Sequence, residues 1–392
     1  MTAAAVVSQA DLAHRPQFGW INGLKAGAAQ LIVLHHLAFY GPMSDYVQPL
    51  WPELLDWLGG SARIAVQVFL VIGGFLVAKS LSPAGRPGIA NPLQAVWRRY
   101  AKLAPPFLAA TLLAAIITPV AGIWMRHDSM SAAVTLGQLS AHALLLHGVL
   151  GYESLSAGAW YVAIDFQLYL LTVSLLWLSG RVAGKRRRHW LMPLAVTVGI
   201  TFSLLYFNLD ADWDNWAPYF FGSYGLGMLA WWASDPARKP GAMTALMAMA
   251  AVPVLLALAV DYRSRIALAL IVACALFLFG RARTPAQGLA WNVINALGRI
   301  SYAVFLVHFP VSLLVNALFV TYVPLEPEWQ ALGMLTAWCG VLSLGGGAAG
   351  AGDGERGGAS GREAGAGVAL ETRASCKRVE VLLLKDIVAA YA

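Results

Sequence analysis

The chain has 392 residues, of which 59% are hydrophobic and 12% charged, and its formal net charge is +7 at pH 7. Because an average soluble domain contains about 25% charged residues, the composition excludes a soluble globular enzyme, a disordered chain and a nucleic-acid-binding domain. Apolar runs of about 20 residues, the length of a membrane-spanning helix, recur between residues 20 and 345. The chain is therefore expected to lie in a lipid bilayer.

The apolar runs predict an all-α, polytopic membrane bundle of about ten transmembrane helices. They lie at about 20–40, 62–81, 103–124, 160–179, 190–208, 217–234, 242–260, 265–280, 300–320 and 329–345. The segment 131–149 has a similar length, but its run includes polar residues such as Gln138, His142 and His147. We interpret that segment as an interfacial or re-entrant helix that does not cross the membrane.

The distribution of basic residues predicts which loops face the cytoplasm. With the N-terminal segment 1–19 inside, the ten-span arrangement places 17 lysines and arginines in inner segments and 3 in outer loops. This bias follows the positive-inside rule. Counting 131–149 as a span would move Arg186, Arg187 and Arg188 to the outside. Both termini are therefore expected in the cytoplasm.

The C-terminal segment 346–392 differs in composition from the membrane domain, which we assign to 20–345. It is rich in glycine and contains scattered arginine and glutamate residues. One interpretation is a disordered, low-complexity cytoplasmic tail. The other is the product of a shifted reading frame or a truncated gene, because the composition changes abruptly within a predicted helix. Neither interpretation assigns the segment a function.

Two ionisable residues of the first span lie on the same side of their helix. Lys25 and His36 are separated by eleven residues, which corresponds to about 1100° of rotation and about 16.5 Å along the axis. Ionisable residues within spans are rare and usually face the bundle interior. His36 is thus a candidate functional residue or a hydrogen-bonded packing residue. His35 points elsewhere and is interpreted as structural.

A basic cluster precedes the third predicted span. Arg98, Arg99 and Lys102 lie just before two consecutive prolines at 105 and 106. Such clusters commonly serve only to orient helices. Arginine and lysine also suit phosphate groups, so the alternative is a binding site for an anionic cofactor on the side of Lys25.

One carboxylate lies within the fourth predicted span. Asp165 shares a helix face with Tyr161 and Tyr169, four residues away on either side. Asp165 is placed near the outer end of this span, at a depth similar to that of His36, so the two are expected to pair and form a general base for a hydroxyl nucleophile. The alternative is a carboxylate capped by a neighbouring hydroxyl or amide. A further feature, the consecutive glycines at 73 and 74, fits either a close helix crossing or close approach to a cofactor arm.

Five segments occur in a characteristic order. They are Asn22 to Lys25 followed after ten residues by His36, then 69–75, Arg99 with Lys102 and Pro105, Trp160 with Asp165, Gln167 and Tyr169, and 297–310. Together these segments resemble the acyltransferase 3 family of bacterial membrane O-acyltransferases. The resemblance covers about residues 20–345. This chain departs from the family at four positions. It has Lys25 and Lys102 where the family has arginine, Gly73 where it has serine, and Asp165 where it has glutamate.

The resemblance implies transfer of an acyl group, often acetyl, from cytoplasmic acetyl-CoA to a hydroxyl of a carbohydrate or glycolipid outside a bacterial inner membrane. The phosphates would be bound by Lys25, Arg98, Arg99 and Lys102. His36, oriented by Asp165, would activate the acceptor hydroxyl or relay the acyl group. His308 and Arg299 match family positions to which we assign a structural role.

Several further expectations complete this interpretation. No metal is expected, because the three cysteines lack the spacing of a zinc site, and neither is a nucleic-acid partner. The sequence does not indicate an oligomeric state or identify the acceptor. Other functions stay open: a transporter with Lys25, His36 and Asp165 as a relay, a non-catalytic membrane scaffold, and an inactive family member.

Overall fold

The computed structural model describes residues 19–127, 130, 134–182, 190–282 and 288–357, with side chains described as far as residue 347. This part of the chain forms thirteen α-helices and contains no strand. They are α1 Gly19–Phe39, α2 Pro42–Val47, α3 Pro52–Gly60, α4 Val66–Leu81, α5 Pro92–Ala121, α6 Leu136–Ala143, α7 Ala159–Val182, α8 Leu191–Leu205, α9 Ala217–Ala233, α10 Pro240–Val260, α11 Ser264–Phe279, α12 Leu289–Tyr322 and α13 Pro327–Gly357.

The predicted polytopic helical bundle is confirmed. Ten of these helices coincide with the ten predicted spans, and the other three, α2, α3 and α6, are short. Six helical stretches within the described residues are long and apolar enough to cross a membrane. A long apolar segment in lipid must satisfy its backbone hydrogen bonds internally, which explains why the apolar runs and the helices coincide.

Three predicted boundaries differ from the structure. α5 begins at Pro92 rather than at 103, because the Asn91 side chain accepts a hydrogen bond from the Gln94 backbone and proline suits the first helical position. The basic residues expected before this helix therefore lie inside it. α12 begins at Leu289 rather than at 300, and α13 continues past 345 to Gly357. Residues 1–18 and 358–392 lie outside the described residues.

The described part of 131–149 does not form a spanning helix. It contains only the eight-residue helix α6 and a series of turns, in which Leu145 adopts a left-handed backbone conformation with φ of 58°. His142, Leu145 and His147 are nevertheless fully buried. The described part of this segment, called the re-entrant segment below, thus packs into the bundle without forming a spanning helix.

Contacts between helices show their relative directions. α5 and α7 are antiparallel, because Tyr169 donates a hydrogen bond to the Ala95 carbonyl (3.4 Å) while Asp165 pairs with Arg99. α1 and α12 are parallel, because Asn22 near the start of α1 donates to Asn295 (3.0 Å) near the start of α12. If 131–149 crossed the membrane, α7 would run parallel to α5, and α12 would run antiparallel to α1. The observed directions are therefore those expected when 131–149 does not cross the membrane.

The crossing of α4 and α9 depends on glycine. A Cβ atom at Gly74 would overlap the carbonyl oxygen of Tyr224, and one at Gly227 would overlap the carbonyl oxygen of Val71. No other residue permits this approach of the two backbones. Gly74 therefore serves the helix crossing.

We predict that reporter fusions place residues 181–189 in the cytoplasm and residues 209–216 outside it, because of the asymmetric distribution of basic residues. The measurement is the activity of a cytoplasmic and an extracytoplasmic reporter at each position. An outside location for 181–189 would contradict the proposed orientation of the second half of the chain.

Candidate functional site

Lys25 of α1 and Lys102 of α5 lie close enough for their positive charges to interact. Lys25 is half-buried and Lys102 is exposed. Within the described part of the chain, neither lysine forms an ion pair with a carboxylate. Adjacent positive charges repel unless an anion lies between them. The arrangement therefore favours binding of an anion at this end of the bundle.

Arg98 and Arg99 differ in their surroundings although they are neighbours in sequence. Arg98 is exposed and lies one turn from Lys102 on the same face of α5. Arg99 turns inward and forms an ion pair with Asp165 of α7. The Arg99 guanidinium also lies 5.4 Å from the centre of the Tyr169 ring. Arg98 thus extends the surface formed by the two lysines, whereas the Arg99 guanidinium is directed to Asp165.

The expected contact between Asp165 and His36 is replaced by the ion pair between Asp165 and Arg99. α7 begins inside the bundle, where Gly158, the residue before it, packs against Phe305 of α12. Asp165 is seven residues further along, about 10 Å deeper. The axial position of α7 thus brings Asp165 to the level of Arg99 rather than to that of His36.

The ion pair lies in a polar region of the bundle interior. The side chains of Tyr161, Tyr224 and Tyr302 are all within electrostatic range of Asp165. A Cβ atom at Gly73 would lie 3.5 Å from an oxygen of Asp165. Position 73, where the resembled family has serine, therefore faces the Asp165 carboxylate, whereas the adjacent Gly74 serves the helix crossing.

His36 is buried near the opposite end of α1 from Lys25. Its ring stacks against that of His308, with centres 4.6 Å apart and planes at 10°. The Tyr40 ring lies 5.3 Å away on the side of the helix end. The Nδ1 atom of His36 has no hydrogen-bond partner among the described residues. One nitrogen of this buried imidazole thus makes no hydrogen bond to the described residues.

His35 has a structural contact. Its Nδ1 atom lies 2.8 Å from the backbone carbonyl of Leu58, and its ring stacks on Phe39 at 5.7 Å. These contacts attach α3 to α1. The different surroundings of the two adjacent histidines agree with the interpretation of His35 as structural.

His308 is the residue that the sequence analysis set aside as structural. Its Nδ1 atom donates a hydrogen bond to the backbone carbonyl of Phe305 (2.6 Å), and its Nε2 atom is buried without a partner among the described residues. The sequence signal that could have indicated a functional role for His308 was its position within a predicted span, where ionisable residues are rare.

A second stacked histidine pair lies in the re-entrant segment. The rings of His142 and His147 are 4.0 Å apart. His142 uses both nitrogens, donating to the Gln138 carbonyl (2.8 Å) and accepting from the Leu155 backbone (3.1 Å). Burial lowers the pKa of His147 to about 3, so His147 is neutral. This pair packs the re-entrant segment against the bundle.

The chain was compared with known proteins. A family model described as an acyltransferase domain matches residues 18–348. The matched range includes Lys25, His36, the basic residues of α5, Asp165 and His308. Comparisons with curated proteins and with solved structures gave no match.

Proposed function

Since the chain belongs to the acyltransferase 3 family of membrane acyltransferases, we propose that it transfers an acyl group, most simply acetyl, from acyl-CoA to a hydroxyl of a carbohydrate or glycolipid. The observation that supports this proposal is the separation of two sites on one helix. Lys25 faces a second uncompensated lysine, and the unpartnered imidazole of His36 lies about 16.5 Å away along the axis.

The donor would bind at the Lys25 end. Coenzyme A carries a diphosphate and a further phosphate, which match the positive charges of Lys25, Lys102 and Arg98. Arg99 is a further candidate, because its Nε atom has no partner among the described residues even though the guanidinium pairs with Asp165. No metal is needed for this binding.

The acceptor would bind at the His36 end. The positive-inside rule predicts that the Lys25 end faces the cytoplasm, where acyl-CoA is present. The membrane would be a bacterial inner membrane, as the family resemblance implies. The distance along α1 is comparable to the length of a pantetheine arm. The thioester could therefore reach His36 while the phosphates stay with the lysines.

The reaction needs one proton acceptor at the His36 end. The oxygen of the acceptor hydroxyl attacks the thioester carbonyl, the carbon–sulfur bond breaks, and the thiolate of coenzyme A takes up a proton. His36 would either take the hydroxyl proton as a general base or carry the acyl group between donor and acceptor.

The rival proposal, a transporter relay through Lys25, His36 and Asp165, has less support. Asp165 pairs with Arg99, and His36 packs on His308, so no contact links the two relay members. An inactive family member is the remaining alternative, which only an activity measurement addresses.

The direct test uses membranes that contain the protein and acetyl-CoA labelled in its acetyl group. We expect alkali-labile label in the glycan or glycolipid fraction, since an ester of a hydroxyl is cleaved by alkali. Membranes without the protein are the control. Equal labelling of both membranes, with acetyl-CoA bound by the protein, would contradict the proposed transfer.

We predict that Lys25→Ala and Lys102→Ala each raise the KM for acetyl-CoA by about tenfold or more, because a charge-assisted hydrogen bond contributes about 1.5–3 kcal/mol. The rate at saturating donor should stay close to that of the wild type. Steady-state kinetics in membranes is the measurement, and Lys239→Ala, at an exposed position before α10, is the control. Unchanged KM values in both lysine variants would rule out this donor site.

A further inference from the structure

His308 has the arrangement expected of a general base. Its Nδ1 proton is held by the Phe305 carbonyl at 2.6 Å, so its Nε2 atom carries the free lone pair. That Nε2 atom is completely buried and has no partner among the described residues. Leaving a buried polar atom without a hydrogen bond is unfavourable, and a polar ligand would remove that cost.

The surroundings of His308 contain further unsatisfied polar atoms. The rings of His308 and His36 are nearly parallel, so their in-plane nitrogens cannot hydrogen-bond to each other. The Nδ1 atom of His36 is unpartnered, and so is the buried hydroxyl of Ser312, which lies one turn from His308 on the same face of α12. Three polar side chains of α1 and α12 thus each have a buried atom without a hydrogen bond among the described residues.

The pair formed by His142 and His147 provides a comparison within the same molecule. His147 also leaves its ring nitrogens unpartnered, but no contact orients either nitrogen of its ring. A general base needs both a free lone pair and a group that orients the ring. His308 meets both conditions, whereas His142 lacks the first and His147 the second.

We propose that His308 is a catalytic residue of the transfer and that its Nε2 atom takes the proton of the acceptor hydroxyl. This inference rests on the proposed function. As the acceptor oxygen forms its bond to the acyl carbon, the hydroxyl proton moves to Nε2 and the carbon–sulfur bond breaks. The proton then leaves His308 for the thiolate of coenzyme A or for water. The stacked His36 ring faces the acyl group, and Ser312 holds the acceptor.

The test compares His308→Phe and His308→Gln with the wild type in membranes supplied with labelled acetyl-CoA. Phenylalanine keeps a flat ring against His36, and glutamine keeps a donor for the Phe305 carbonyl. Neither residue can accept a proton. We expect both variants to lose about 10²–10⁴-fold in the rate at saturating donor, with unchanged binding of acetyl-CoA. His147→Phe, in the other stacked pair, is the control and should retain transfer.

The outcomes separate this inference from the proposed function. If the wild type transfers no label, the proposed function fails. If the wild type transfers label and His308→Phe does so at a similar rate, His308 only packs against His36 and the inference fails. Loss of acetyl-CoA binding in both variants would likewise identify His308 as a packing residue and overturn the proposal.

Discussion

Replacing His36 by alanine is expected to lower acyl transfer by about 10²–10⁴-fold, the usual effect of losing an acid–base group. Binding of acetyl-CoA should be unchanged, because the phosphate-binding lysine on the same helix is about three turns away. The expectation holds whether His36 contacts the acyl carbonyl, carries the acyl group or takes the proton. The measurements are transfer of labelled acetyl groups and donor binding, both at matched amounts of protein.

The adjacent His35 supplies the matched control. His35→Ala removes an imidazole of equal size from the same turn of α1, but its ring contacts the Leu58 carbonyl and Phe39. A small loss of stability with retained transfer is expected. Loss of transfer in His35→Ala together with near-normal transfer in His36→Ala would show that the catalytic imidazole had been misassigned.

Replacing Asp165 by alanine is expected to lower the free energy of unfolding by about 3–5 kcal/mol, because the largely buried charge of Arg99 would lose its counter-ion. The Asp165 side chain is 9% exposed and that of Arg99 29%, so solvent screens the pair only in part. The measurement is the unfolding midpoint in detergent. Replacing both residues, as Arg99→Met with Asp165→Leu, should recover most of the loss, since apolar substitutes leave no unpaired charge.

Asp261→Ala is the control for this experiment. It breaks the pair between Arg263 and Asp261, in which the carboxylate is 56% exposed, and exposed pairs contribute about 0–1 kcal/mol. If Asp165 instead oriented His36, Asp165→Ala would lose transfer like His36→Ala and keep its unfolding midpoint. That result would contradict the assignment of Asp165 to Arg99.

The positions of the helices could be predicted from the sequence because they depend on local properties. A run of about 20 apolar residues forms a helix in lipid whatever its neighbours are. The errors lie at the helix ends, where polar residues continue a helix beyond its apolar part. α5 shows this, since the Asn91 cap starts the helix before Arg98.

The sequence by itself also determined the spacing of Lys25 and His36, because both residues belong to one helix with a known rise per residue. The order of its motifs further predicted the family, which the match over residues 18–348 confirms. These predictions need no knowledge of how one helix packs against another.

Only the tertiary structure decided which residues of different helices meet. Asp165 pairs with Arg99, 66 positions away, and His36 packs on His308 of α12. Helical periodicity gives the face of a residue but not the axial position of its helix. For α7 that position is known only from the structure, in which the helix begins against Phe305 of α12. The depth of a side chain thus depends on packing between helices, which no local pattern encodes.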